Sequence, residues 1–222
     1  MNRTKRRSFN GWSTALAIGL ASLGTPAFAQ TSAPSNPSSD EANRLLQSRN
    51  SEGYTVAVPG VSVPAGGAMI AVDAPLPVVR QIVTDYAHYQ DFVPGFQKSR
   101  IVGNGDRGTD VYLQAPILHG SANLWAVARF SPPVPDGPGE RIEGRKAGQG
   151  NVDDFRATWR LYAVDDSHTI LKIEVLMVPS LLPLPTSVVT PHLVSSSAAA
   201  VRACRDRAES RNNLWGGGPR SD

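Results

Sequence analysis

The chain of 222 residues holds a single cysteine, Cys204, so no internal disulfide can form. Among alanines at a helical spacing, a lone cysteine reads as a small buried residue rather than a reactive thiol. Long hydrophobic runs are also missing. The most apolar stretch, Trp12 to Leu23, falls short of the roughly 20 residues that a membrane-spanning helix needs. It follows Arg3, Lys5, Arg6 and Arg7 and precedes Ala27-Phe28-Ala29, the layout of a cleavable leader for export to the periplasm or beyond the cell. Arg6-Arg7-Ser8-Phe9 matches part of a twin-arginine signal, but Asn10 departs from it, so general secretion and the twin-arginine route both remain open. A basic surplus is absent too once this leader is set aside. Four of the 22 Lys and Arg residues and none of the 19 acids lie within it, leaving 18 against 19. That balance removes the electrostatic case for a nucleic-acid partner.

Motifs for catalysis and metal binding are equally scarce. His88, His119, His168 and His192 form no pair at metal-ligand spacing, and no serine elbow, Cys-His pair or carboxylate dyad is evident. No catalytic residue, metal or cofactor is therefore expected. Gly103-Asn-Gly105-Asp-Arg-Gly108 fits G-x-G-x-x-G, but Thr109 to Ile117 alternates as a strand where a dinucleotide site requires a helix. Asp153-Asp154 and Asp165-Asp166 fall at strand ends and turns, where solvation is the simplest reading. Arg156, Arg160, Lys172 and Glu174 read as a cross-strand charge ladder on a wet sheet face.

What is present is an ordered set of elements. Residues 1–29 are the leader, 30–52 a Ser/Pro-rich tether with a short helix over Asp40 to Arg49, 53–212 the folded domain and 213–222 a disordered tail. Tyr54 to Val63 reads as a strand pair or edge segment, and Ala68 to Asp73 as the first core strand. Pro75 stops that strand. A helix carrying Val78, Val79, Ile82 and Val83 follows, then Tyr86, Tyr89 and Phe92 at steps of three before Pro94-Gly95. Strands are expected at Gln97 to Gly103, Thr109 to Ile117, Ala122 to Phe130 and Glu140 to Lys146, with Ser131 to Gly139 a proline-rich loop. Phe155, Ala157, Trp159, Leu161 and Ala163 alternate with polar residues, as do Leu171, Ile173, Val175 and Met177. Such alternation means an antiparallel sheet wet on one side and covered on the other. The cover is a C-terminal helix with Val189, Leu193, Ser197, Ala200, Val201, Cys204 and Ala208 on one face. Pro191 either opens that helix or lies within one begun near Thr186.

Asp73-Ala74-Pro75, Thr84-Asp85-Tyr86-x-x-Tyr89-x-x-Phe92-x-Pro94, Gly108-Thr109-Asp110-Val111-Tyr112-Leu113 and Asn151-x-Asp153-x-Phe155-x-Ala157-Thr158-Trp159 occur in the order seen in one family. Together with Leu182-Pro183-Leu184-Pro185, they make the chain from Ala68 to Ala208 resemble the START-like (SRPBCC) superfamily. The likeness is greatest to its polyketide cyclase and coenzyme Q-binding branch. That resemblance implies an α+β helix-grip fold: an antiparallel sheet wrapped around a long C-terminal helix, with two short helices after the first strand. It also implies a cavity between sheet and helix. The candidate lining is Val111, Leu113, Leu124, Phe155 and Trp159 from the sheet, with Ile173, Val175 and Met177 from its last strand. Val189, Leu193 and Ser197 contribute from the helix, and Tyr86 and Phe92 close one end.

Ser195 to Ala200 is made of small residues, which either leaves a cavity or lets the helix pack close to the sheet. The resemblance and the missing catalytic groups lead to an exported binding or carrier protein for a quinone, isoprenoid or other lipid. Transient contact with a membrane surface suits that role. The alternative is a cyclase or dehydratase acting on a polyketide-like or steroid-like substrate. Its proton-moving groups would come from Tyr112, His119, Trp125, Arg129 and His192, at least two of them converging on one pocket.

Overall fold

Thirteen regular elements and a short turn follow from this pattern in the computed structural model, which describes residues 36–117, 120, 122–180 and 185–216. The expected leader, the start of the expected tether, His119, residues 181–184 and the residues beyond Gly216 lie outside the described residues.

Helix α1 (Ser39–Ser48) starts at Ser38, whose hydroxyl accepts from the Glu41 backbone N–H at 3.1 Å, with Asp40 and Glu41 in its first turn. Arg49 ends it in the left-handed region at φ 59°. The helix docks more firmly than its place in a tether implies, because Leu45 is fully buried against Ala71, Tyr162 and Ile170 on the outer face of the sheet. Strand β1 (Glu52–Val56) is an edge strand only. The chain after it, through Val58, Val61 and Val63, packs with Leu176, Val189 and Leu193.

Strand β2 (Ala65–Val72) shows no alternation because both of its faces are covered. Ala68, Ile70 and Val72 join the main core, while Ala71 lies under α1. Pro75 precedes α2 (Leu76–Val83), where proline near the first position sacrifices no helical hydrogen bond. The helix buries Val79, Ile82 and Val83 and ends at Thr84. The aromatic run follows as a 3₁₀ turn (Tyr86–His88) and the one-turn helix α3 (Tyr89–Phe92).

Strands β3 (Lys98–Gly105) and β4 (Gly108–Ile117) form a hairpin across Gly105 and Gly108, so the G-x-G-x-x-G run is a turn and not a phosphate cradle. Gly108 has φ 129°, and a Cβ there would lie 2.0 Å from the Phe130 carbonyl oxygen. Next come β5 (Ala122–Phe130), β6 (Val134–Asp136), β7 (Gly139–Gly150), β8 (Val152–Ala163) and β9 (Thr169–Pro179). The short β6 corrects the expectation of a plain loop: its three residues pair with Gly139 to Arg141 despite the flanking prolines. Strand β7 is longer than expected, and its Ile142 is fully buried.

The strands form one antiparallel sheet in the order β1-β2-β9-β8-β7-β5-β4-β3, with β6 alongside β7. Phe155, Ala157, Trp159 and Leu161 point inward and pair with Met177, Val175, Ile173 and Leu171. Ala163 departs from this alternation. It is exposed at the strand end, whereas its neighbour Tyr162 is buried beneath α1. Helix α4 (Thr186–Gly216) begins at Thr186, so Pro191 lies inside it and the helical part runs past residue 212. All seven residues of the expected inner face, from Val189 to Ala208, are buried. The architecture is α+β helix-grip, a sheet curled around its last helix.

Candidate functional site

Between α4 and the inner sheet face lies an apolar space in two connected compartments. The inner one has a volume of about 150 Å³. Leu113 and Ala115 of β4, Leu124 and Phe130 of β5, Phe155 and Trp159 of β8 and Ile173, Val175 and Met177 of β9 form its sheet wall. Helix α4 supplies His192, Leu193, Ser196, Ser197 and Ala200. The outer compartment, about 600 Å³, lies at the surface beside Val188, which is 49% exposed. The two share Pro116, Ile117, Leu124, Met177, His192 and Leu193, so the outer one is the mouth of the inner one.

The dominant lining follows from the strand alternation that built the sheet. Residues two apart on a strand share a face, so Leu113, Ala115 and Ile117 reach the space together, as do Phe155, Ala157 and Trp159. Residues 192, 196 and 200 form an i, i+4, i+8 row that runs along α4 from mouth to interior. Polar groups inside are few, and two of them are engaged. The Tyr89 hydroxyl donates to the Val83 carbonyl oxygen, and burial pushes its pKa well above the ordinary tyrosine value. The Ser197 hydroxyl donates to the Gly66 carbonyl oxygen at 3.1 Å.

Of the expected lining residues, Leu113, Leu124, Phe155, Trp159, Ile173, Val175, Met177, Val189, Leu193 and Ser197 border one or both compartments. Three do not. Tyr86 is buried behind the wall, its ring stacked on Phe130 at 4.6 Å between centroids. Phe92 packs edge-on to Tyr89 and outward beneath the Arg207 guanidinium, 4.5 Å from its ring centre. Val111 is fully buried in the core and paired with Ala128. The stop segment Val93 to Phe96, Pro116, Ile117 and Ser196 line the space without having been expected to. Their signal is weak in sequence, because a loop after a one-turn helix has no periodicity to place its side chains.

Among the described residues, the groups proposed to move protons do not gather; His119 lies outside them. Arg129 is held by Asp110 through two hydrogen bonds of 2.7 and 2.8 Å, an ion pair that lowers the Asp110 pKa. Tyr112 lies 5.7 Å from Trp125 between ring centres, carries the Arg100 guanidinium over its face and donates its hydroxyl to Gln114. Trp125 borders neither main compartment; it lines a void of about 20 Å³ that shares Phe96, Leu113, Leu124 and Phe155 with the inner one. Of the described candidates, His192 is the one that lines the two main compartments. Among the described residues no three His, Cys, Asp or Glu side chains gather as metal ligands, and no helix is long and apolar enough to cross a membrane.

No protein-family model matches the sequence, nor does any curated protein. Solved structures do. A STAR-related lipid transfer protein from Xanthomonas axonopodis superposes with a TM-score of 0.62 at 14% identity, over 72% of this chain and 93% of its own. The chain has the START fold. The Zhui aromatase/cyclase of Streptomyces sp. R1128 gives a TM-score of 0.56 at 20% identity, covering 75% of this chain and 100% of its own. Human STARD10 gives 0.58 at 8% identity, covering 83% and 84%. At these identities the likeness is one of fold, and any functional argument has to come from the START chamber of this chain.

Proposed function

We propose that this protein binds and carries an apolar small molecule, such as a quinone, isoprenoid or other lipid, in the space between sheet and α4. The observation that supports this most is the lining of the inner compartment. Phe130, Phe155, Trp159, Leu113, Ile173 and Met177 converge there around a space that plain core packing would have filled. The leader at residues 1–29 supports export, and an apolar ligand most needs a carrier where it must cross an aqueous compartment. Transient contact with a membrane surface, for loading and release, belongs to the same reading.

Binding is favoured over catalysis because proton transfer calls for positioned acid and base groups, and the described candidates other than His192 are engaged or turned away from the space. The test is to express the full chain in an exporting host, purify the folded product and extract it with organic solvent. Mass spectrometry should find one class of apolar molecule at near-stoichiometric yield. A product that is always empty and binds no apolar probe would sink the reading.

A further inference from the structure

The carrier reading leaves open which end of a ligand enters first, and the side chains of the two compartments bear on that directly. Aromatic rings from Tyr89, Phe96, Phe130, Phe155 and Trp159 surround the inner compartment. Apart from the exposed His192 and Ser196 at its outer end, the hydroxyls that border it are committed to the protein. Tyr89 donates to Val83, and Ser197 donates to Gly66. A hydroxyl or carbonyl pushed to this end would leave water and find no free partner. The loss is on the order of 5- to 150-fold in affinity.

The exposed end is different. His192, which borders both compartments, and Ser196, at the outer end of the inner one, stand one turn apart on α4, both exposed, and neither side chain has a partner among the described residues. Gln97 borders the outer compartment together with His192; its side-chain carbonyl oxygen accepts from Gln114 at 3.3 Å, and its side-chain amide N–H groups have no partner among the described residues. The mouth therefore offers donors and acceptors that the interior lacks.

Among the described residues, no Asp, Glu, Lys or Arg borders either compartment. In the sequence, Val111 to Ala128 and Val175 to Val201 contain none of these four residues, although 18% of the whole chain is charged. Those two segments supply most of the mouth. An ionic head group there would give up part of its hydration and gain no counter-charge.

Resting on the carrier reading, we propose that the ligand is an uncharged amphiphile with its hydrogen-bonding group at one end. It enters apolar end first, and Gln97, His192 and Ser196 hold its polar end at the mouth. The ring-walled interior takes the apolar end, and the small row Ser196 and Ala200 gives it passage along α4.

The test uses decanol, decane, decanoate and decyltrimethylammonium as competitors for an apolar fluorescent probe on the full-length protein. Decanol should displace the probe at least ten-fold more effectively than either charged analogue. His192→Leu and Ser196→Ala change exposed side chains, and each should weaken decanol about 5-fold while leaving decane unchanged. Nuclear Overhauser contacts fix the orientation: the terminal methyl of bound decanol should meet the Trp159 ring and its carbinol protons the His192 ring. If the carbinol end meets Trp159, or both substitutions leave decanol affinity unchanged, the proposed polarity is wrong while probe binding keeps the carrier reading intact. If the folded protein binds neither probe nor decanol, the carrier reading fails and this proposal falls with it.

Discussion

Ser197 donates its hydroxyl to the carbonyl oxygen of Gly66 at 3.1 Å, at the place where α4 comes down on the bare backbone of β2. A Cβ on Gly66 would sit 2.5 Å from the Leu193 carbonyl carbon and from the Val194 nitrogen. The small residues of α4 thus serve both of the uses open to them. One side of the helix packs tightly on β2, and the row His192, Ser196, Ala200 faces the space under β4, β5 and β8. Close packing along one line leaves room along the other.

Gly66→Ala tests that line. The added methyl meets backbone, which cannot rotate away, so folding stability should fall by roughly 1–3 kcal/mol. Gly105→Ala is the control, since a Cβ there meets nothing within 4 Å, and its effect should stay within about 0.5 kcal/mol. Thermal or urea unfolding of the two variants beside the parent protein checks the contrast. Equal stability of all three would mean that α4 does not rest on Gly66.

Cys204 provides a probe of the same helix face. It is fully buried, and loss of hydration pushes its thiol pKa up to about 12. A thiol reagent near neutral pH should modify the native protein negligibly and the guanidinium-unfolded protein fully. Rapid labelling of the folded state would contradict the burial of this face.

Acid sensitivity should have a local source in the β8–β9 turn. Asp165 accepts from the Ser167 backbone N–H at 2.7 Å and lies 2.8 Å from the His168 ring nitrogen, and these contacts hold its pKa at about 2. A depressed carboxylate favours the folded state above its unfolded value of about 3.9, and that stabilisation disappears as pH falls through 2. Asp165→Asn should therefore lose less stability than the parent between pH 4 and pH 2, as measured by urea midpoints. His88 has the opposite sign. Its hydrogen bond to Asp85 raises its pKa, so its contribution is complete below the ordinary histidine value and lost as pH rises past the raised one. A proton NMR titration of the His88 ring should give a midpoint above that of free histidine.

Much of the fold was legible because β8 and β9 set apolar residues two apart on their inner face and α4 sets small or apolar ones three or four apart on its buried face. Strand β6 was not, since three residues beside prolines give no period. Within the site, alternation tells which face a residue shares but not what stands in front of it. Tyr86 and Val111 face inward as expected yet lie behind other side chains, and Phe92 is drawn outward by Arg207. The Pro94-Gly95 stop marked the end of a helix in sequence and becomes part of the wall in space.

The central claim is that the inner compartment binds an apolar ligand, and Ala115→Phe tests it most directly. Ala115 lines that compartment, paired with Leu124, and a phenyl ring there would take up much of its volume of about 150 Å³. Titrating an apolar fluorescent probe into the folded parent should give saturable one-to-one binding, and Ala115→Phe should weaken it at least ten-fold while the circular dichroism spectrum stays unchanged. Equal probe affinity in a folded Ala115→Phe protein, or no saturable binding by the parent, would contradict the account.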